Sequence, residues 1–450
     1  MKKWIAVLLV ISISIVHGSG RGDKNIMIGQ IDVLSYTINL EISDSTDSIN
    51  ATTEISFSVL KDLDTLKFNL KDMNVTDCLL DSQNILFQTN DGILLLAARN
   101  RLVSNSLHRL AISYNGTPKD GLFIGKNKYG KFCAFADNWP NRASYWFPCI
   151  DHPSDKAKVT FHITVPKKYD VIANGDETEF ASSGKTAKYS YSMSVPITTY
   201  CMVFGACDFS ISKTQTSSGV PVYYYTFPED SITAAKSFQN VSDIIKYFES
   251  VIGPYPYSKL ALVESSTKYG GMENSSAIFL PERSPSFTGR RNNDETVAHE
   301  IAHQWFGDDV SISKWSDLWL SEGFATYFSA LYFESCDGEE RFNQQLERIK
   351  EAYSRGHRND AAVVADNYSK LEELLNVENY DKGALFLNAL RKFIGDESFF
   401  KGIKEYYKEF RHSNVSTDDF KKVMSSVSKK NLDPLFNKWL YEPGSQSLFN

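Results

Sequence analysis

At 450 residues, with 42% hydrophobic and 13% aromatic content, the chain is long enough to bury two or three cores. Its net charge of −7, with no basic stripe, excludes nucleic acid as a partner. The six cysteines (78, 133, 149, 201, 207 and 336) are scattered in no zinc-finger spacing and read as structural or free thiols, with Cys201 and Cys207 a pair that export would permit.

The first segment, Met1-Lys2-Lys3-Trp4, runs into an apolar stretch from Ile5 to Val16 and then His17-Gly18-Ser19-Gly20. It reads as a secretory signal peptide over residues 1–20, cut near Gly18, because the apolar core is too short for a membrane span. Nothing later approaches 18 unbroken apolar residues, so no stable membrane span is expected after cleavage. The expected location is secreted or periplasmic. Alternating runs follow: Tyr36, Ile38, Leu40 and Ile42, then Val159, Phe161, Ile163 and Val165, then Tyr189, Tyr191, Met193 and Val195. Turn chemistry separates them at Asn90-Asp91-Gly92, Asn115-Gly116-Thr117-Pro118 and Asn174-Gly175-Asp176. Residues 21–212 are therefore expected to form an antiparallel β domain. Beyond them, helical periods dominate at Ala234 to Val251, Glu295 to Phe306 and Glu322 to Glu334, and Phe399, Ile403, Tyr407 and Phe410 form a late helical stripe. Ser416 or Thr417 is placed to cap one more helix through Val423 and Val427. Residues 213–450 read as a mainly helical catalytic domain with a small sheet, which makes the fold class α+β.

The chemistry concentrates at His299-Glu300-Ile301-Ala302-His303. Positions four apart share one helix face, so the two imidazoles can chelate one ion together. Histidine is scarce, eight in the chain, and two of them flank this glutamate. Glu322 follows His303 after 18 intervening residues, enough to end one helix, turn and begin a second. The set predicts one zinc ion per chain held by His299, His303 and Glu322, with Glu300 beside it as general base. An amphipathic helix with two histidines is the bland reading. It leaves a buried glutamate uncompensated among Val297, Ile301, Ala302, Trp305 and Phe306, a costly state that a cation relieves.

Upstream, Gly270-Gly271-Met272-Glu273-Asn274 would by itself read as a turn. Beside a zinc site, the glycines let a substrate backbone approach closely at an exposed strand edge. Glu273 then projects a carboxylate able to hold a free α-ammonium, and Met272 lines the pocket for the first residue. Asn379-Tyr380-Asp381-Lys382-Gly383-Ala384 opens a further helix. A tyrosine there commonly just packs, but a phenol aimed at the zinc donates to an oxyanion.

Together these segments resemble the gluzincin zinc aminopeptidases, the family of alanyl aminopeptidases and leukotriene hydrolase. The resemblance rests on Gly270–Asn274, His299–His303 with Glu322, and Tyr380 ahead of Lys382-Gly383. It is extended by Trp315 to Ala325, by Phe147-Pro148-Cys149-Ile150-Asp151-His152-Pro153 and by Trp439-Leu440-Tyr441-Glu442-Pro443-Gly444, and spans residues 30 to 445. It implies a saddle-like N-terminal β domain followed by a thermolysin-like catalytic domain. It also implies zinc ligation by His299, His303 and Glu322, catalysis by Glu300 and Tyr380, and substrate binding by Gly270, Gly271, Met272, Glu273 and Asn274. The expected reaction is removal of the first residue from peptides with a free amino terminus. A secreted metallo-endopeptidase and a non-catalytic peptide-binding relative are the alternatives.

Three departures stand out. Ser275-Ser276 replace the Trp or Pro that usually follows the motif, which bears on pocket shape. No Gln or Glu lies between Phe132 and Asn141 to act as a second amine ligand, leaving Asp137 as the substitute. The sequence also stops just after the catalytic domain, from which a more open cleft, or closure by a partner subunit, is expected.

Overall fold

The computed structural model describes residues 27–286, 293–357, 361–366 and 368–444; the expected signal peptide lies outside them. The N-terminal half is built on an eight-stranded sheet. Its spatial order is Asp176–Ser183, Thr186–Thr198, Lys156–Pro166, Ile31–Ser43, Thr46–Val59, Leu107–Gly116, Asn74–Leu80 and Gln83–Asn84. Period-2 patterning sets its faces: Tyr36, Ile38, Leu40 and Ile42 point into the core while the residues between them are more exposed. One pair departs from the antiparallel expectation. Ile31–Ser43 and Lys156–Pro166 run parallel, with Tyr36 opposite Val159. The chain leaves the sheet at Gly116, lays down two of the four strands of a second sheet and returns beside its first strand, a long crossover that a parallel pair needs and a hairpin cannot supply.

That second sheet orders Asp170–Ala173, Phe204–Cys207, Phe132–Ala136 and Leu122–Lys126. In it Cys207 lies directly opposite Cys133. The Cys201 thiol instead donates to Asp308 Oδ1 at 3.3 Å, so the sequence-based pairing of Cys201 with Cys207 is not the one the strands bring together.

The third sheet belongs to the catalytic half: Ser210–Gln215, Pro221–Thr226, Leu260–Ser265 and Ala277–Pro281, the last two joins parallel. The boundary expected between 212 and 213 falls inside its first strand. Leu260–Ser265 is buried at every position, the run expected of a strand covered on both faces. Around this sheet pack α1 (Ser231–Ser237), α2 (Val241–Val251), α3 (Asn293–His303), α4 (Trp319–Asp337), α5 (Glu339–Gly356), α6 (Gly383–Ile394), α7 (Asp396–Phe410) and α8 (Thr417–Ser428). The helix read over Ala234 to Val251 is thus two helices, broken at residues 238–240, where Asn240 Nδ2 donates to Asp294 Oδ2 at 2.8 Å. Ser416, not Thr417, caps α8, in a capping box closed by Asp419.

The two halves are joined by buried polar contacts that orient one against the other. Lys156 Nζ donates to the carbonyls of Asp308 and Asp309 at 2.9 and 2.7 Å. Lys259 Nζ reaches the Ala173 carbonyl at 2.9 Å, and Asn174 Nδ2 the Ser275 carbonyl at 2.6 Å. Ser275 and Ser276 are fully buried at this seam, with Ser276 Oγ accepting from Gly175 N at 2.9 Å. Their departure from the family pattern therefore bears on domain contact; neither lines the cleft.

Candidate active site

Helix α3 carries the first two candidate ligands on one face, and α4 brings the third within its first turn. His299 Nε2 and His303 Nε2 lie 3.0 Å apart, and each is 3.3 Å from Glu322 Oε2. Three donor atoms converging this closely match the edges, about 3.3 Å, of a tetrahedron with ligand bonds near 2.0–2.1 Å. A second group, Glu273, Glu300 and His303, also has its donor atoms within 4.8 Å of one another. The first set fits zinc better: two imidazoles and one carboxylate leave a fourth position open. His303 Nδ1 is already committed, facing the Phe306 carbonyl at 3.1 Å and Ser321 Oγ at 3.0 Å, which turns Nε2 toward the site. Sequence reasoning missed Ser321; its place directly before Glu322 was the available signal.

The electrostatics call for a cation. Glu273, Glu300, His303 and Glu322 are all at most 6% exposed. Burial, and then the neighbouring Glu322 and Asp137 carboxylates, push Glu273 up to about 7, although His303 opposes them. Burial also drives Glu300 well above the usual carboxylate range, reinforced by Glu273, Glu322 and Asp308. His303 is desolvated, which alone would lower it, but the surrounding carboxylates carry it up to about 10. Desolvation lowers His299. Such crowding of buried carboxylates around two imidazoles is what a divalent ion compensates.

The remaining expected residues line one cleft of about 990 Å³ with this cluster: Gly270, Gly271, Met272, Glu273, Glu300 and Tyr380. Met272 forms an antiparallel bridge with Phe279, so the Gly270–Glu273 segment is an added edge on the third sheet. Gly271 leaves room for the base: a Cβ there would sit 2.1 Å from Glu300 Oε1 and force that carboxylate to shift. Tyr380 occupies a π-helical turn, Glu378–Lys382, ahead of α6, and its ring lies parallel to that of His299 with centroids 6.0 Å apart. Burial and then the facing Glu322 carboxylate push its phenol well up, keeping it a hydrogen-bond donor. The turn is held close to α4 because Gly323 and Gly383 meet backbone to backbone: a Cβ on Gly323 would be 2.9 Å from Gly383 Cα.

Two expectations are corrected. Asn274 is fully buried and does not line the cleft, and its side-chain amide has no hydrogen-bond partner among the described residues. Asp137 is not free to take an ammonium: Oδ1 accepts from Arg142 and Oδ2 from the Lys268 backbone. A third residue, Gln304, escaped the sequence reading. Its amide nitrogen donates to the Glu273 carbonyl and to Asp308 Oδ2, while its oxygen accepts from Ser276 N at 2.8 Å. It thereby ties the zinc helix to the Gly270–Glu273 edge; its position next to His303 was the only cue.

Comparison with known proteins agrees with this construction. Residues 33–201 match the Peptidase M1 N-terminal domain and residues 236–439 the Peptidase family M1 domain. Glutamyl aminopeptidase of Bitis rhinoceros is 30% identical over 341 residues, covering 71% of this chain and 35% of that protein. Endoplasmic reticulum aminopeptidase 2 of Homo sapiens is 27% identical over 401 residues, covering 81% of this chain and 41% of that protein. The chain thus spans well under half the length of these curated relatives. Among solved structures, an M1 zinc metallopeptidase from Deinococcus radiodurans superposes with a TM-score of 0.82 at 22% identity, covering 93% of this chain and 95% of that one. A two-domain M1 zinc metallopeptidase bound to L-tryptophan gives 0.81 at 22% identity, covering 94% and 96%. With both domain matches in sequence order and the donor set within the second of them, the chain belongs to the peptidase M1 family.

Proposed function

We propose that the protein is a zinc-dependent aminopeptidase that removes the first residue of peptides bearing a free amino terminus. The observation that carries this is the shared cleft: the convergent donors of His299, His303 and Glu322, the Glu300 carboxylate beside them, and Glu273 along the same wall. Its relatives' names, aminopeptidases in each case, support the same reading. His299, His303 and Glu322 would hold a zinc ion, which when bound would supply Lewis acidity and lower the pKa of a water to about 7. Glu300 is placed to take a proton from the attacking water and to return it to the leaving amine. Tyr380 donates to the oxyanion of the tetrahedral intermediate. Glu273 holds the α-ammonium through charge-assisted hydrogen bonds, which counts one residue from the amino end. Gly270 and Gly271 present backbone without side chains in the way, so an extended peptide can lie against the edge.

The segment at residues 1–20 supports export, with the chemistry performed outside the cytoplasm, in the periplasm or as a secreted enzyme. The test is Glu300→Gln with zinc content and turnover of an alanyl anilide measured together. Zinc should stay at one per chain while kcat falls by at least about a hundredfold. Full turnover in that variant removes Glu300 from the chemistry, and undiminished turnover after chelation removes the metal.

A further inference from the structure

Asp137 stands where a second ammonium ligand was expected, yet it is 5% exposed and both its carboxylate oxygens are engaged within the protein. Oδ1 accepts from Arg142 Nη2 at 2.6 Å, and Oδ2 accepts from the Lys268 backbone N–H at 2.9 Å. Arg142 is nearly as buried and uses its other donors on Asp120 Oδ1 at 2.7 Å and the Trp139 carbonyl at 2.6 Å. Its guanidinium carbon lies 5.5 Å from the centre of the Tyr269 ring, which Trp139 meets edge-on at 5.7 Å. Trp139 and Tyr269 both line the cleft, and Tyr269 leads directly into Gly270.

Besides these contacts, the segment is held by side-chain bonds at its start, Ser266 Oγ to Glu282 and Thr267 Oγ1 to the Tyr269 carbonyl. After the strand ending at Ser265, regular pairing resumes only at Met272, which bridges Phe279. Between them lie two adjacent glycines, the residues that lose the most conformational freedom on being ordered. Met272 pins one end of that pair. The Asp137 bond to Lys268 N, with the Arg142–Tyr269–Trp139 stack, pins the other. The N-terminal domain thereby reaches across the seam to hold the edge on which Glu273 and the Glu300-facing Gly271 sit.

We propose that Asp137 and Arg142 are positioning residues: a buried bracket from the N-terminal domain that fixes Lys268–Gly271 and, through it, the substrate-binding edge. Its effect on catalysis rests on the aminopeptidase reading; its effect on backbone order does not. Asp137 acts through the Lys268 amide and never touches the substrate ammonium.

The experiment compares parent, Asp137→Ala and Asp137→Asn by amide hydrogen exchange over residues 266–273 and by steady-state kinetics on an alanyl anilide. In the Ala variant, exchange in that segment should quicken at least about tenfold while the rest of the N-terminal domain keeps its protection. KM should rise about tenfold with kcat within about threefold of the parent. The Asn variant keeps one oxygen able to accept from Lys268 N–H but turns its NH2 toward Arg142, so both effects should be rescued in part, with exchange and KM falling between those of the parent and the Ala variant. If the Ala variant is insoluble, Asp137→Ser, whose hydroxyl is one bond shorter, takes its place. Unchanged exchange in the Ala variant overturns the bracket, as does loosening spread over the whole N-terminal domain. A KM rise of equal size in Ala and Asn without faster exchange also overturns it, since a carboxylate contacting the ammonium would behave that way. A parent protein that turns over no aminoacyl substrate defeats the functional reading instead, and exchange then decides the bracket by itself.

Discussion

Replacing Gly271 by alanine tests how tightly the substrate-binding edge is built against the base. The added Cβ would lie 2.1 Å from Glu300 Oε1 and 2.6 Å from Cδ, where ordinary contact begins near 3.4 Å. Gly271 does not occupy a positive φ, so alanine meets no backbone penalty and the whole conflict falls on the carboxylate. Glu300 lines the cleft, so its carboxylate can give way only by leaving its present place beside the metal donors. Relieving the overlap requires it to retreat by about 1 Å or more, and a displacement of that size at a reacting group costs on the order of 100-fold in rate, or about 2.7 kcal/mol of transition-state stabilisation. None of the three zinc donors is touched. We therefore expect Gly271→Ala to keep its zinc and its unfolding midpoint while kcat on an alanyl anilide drops about 100-fold. Gly270→Ala separates the two effects: its Cβ would meet no protein atom within 4 Å, so kcat should stay within about threefold of the parent while KM rises, because only the approach of the substrate backbone is obstructed. A Gly271→Ala enzyme with the kcat of Gly270→Ala refutes the geometry that sets this edge against Glu300.

Ser321→Ala removes one of the two groups facing His303 Nδ1, leaving the Phe306 carbonyl. Zinc affinity should fall roughly tenfold, read by competition with a chelator, and an unchanged affinity would remove Ser321 from the metal's support. Lys259 is buried at the domain seam, and desolvation lowers its pKa to about 7. Between that value and the ordinary lysine value of 10.5 the unfolded chain binds a proton that the folded protein does not, so Lys259 adds stability as pH rises through this window and loses it as pH falls toward 7. Lys259→Met should abolish that rise in denaturant midpoint between pH 7 and 9; parallel curves for parent and variant would contradict it.

Much of the site was legible because its residues are close in sequence and their spacing is dictated by one helix. His299 and His303 are one turn apart on α3, and Glu322 needs only a turn between two helices to reach them. Tyr380 was found through its neighbours, but not the π turn that presents it, since an extra residue per turn leaves no periodic trace. What escaped depends on contacts between distant segments. Asp137 looked like a ligand because only its position was visible; its bonds to Arg142 and Lys268 exist only once the domains are docked. Asn274 continues the motif in sequence but is fully buried and does not line the cleft. The parallel pairing of Ile31–Ser43 with Lys156–Pro166 was equally invisible, because alternation reports which face is buried and says nothing of strand direction.

The central claim is that Glu273 makes this cleft read a free amino terminus. The most direct measurement is the ratio of kcat/KM for a short peptide with a free α-amine to that for its N-acetylated form, with products followed by mass. Acetylation should lower kcat/KM by at least about 100-fold, and the free peptide should lose one residue at a time from its amino end. Cleavage of both forms at the same internal bond and comparable rate would show an endopeptidase and contradict the account.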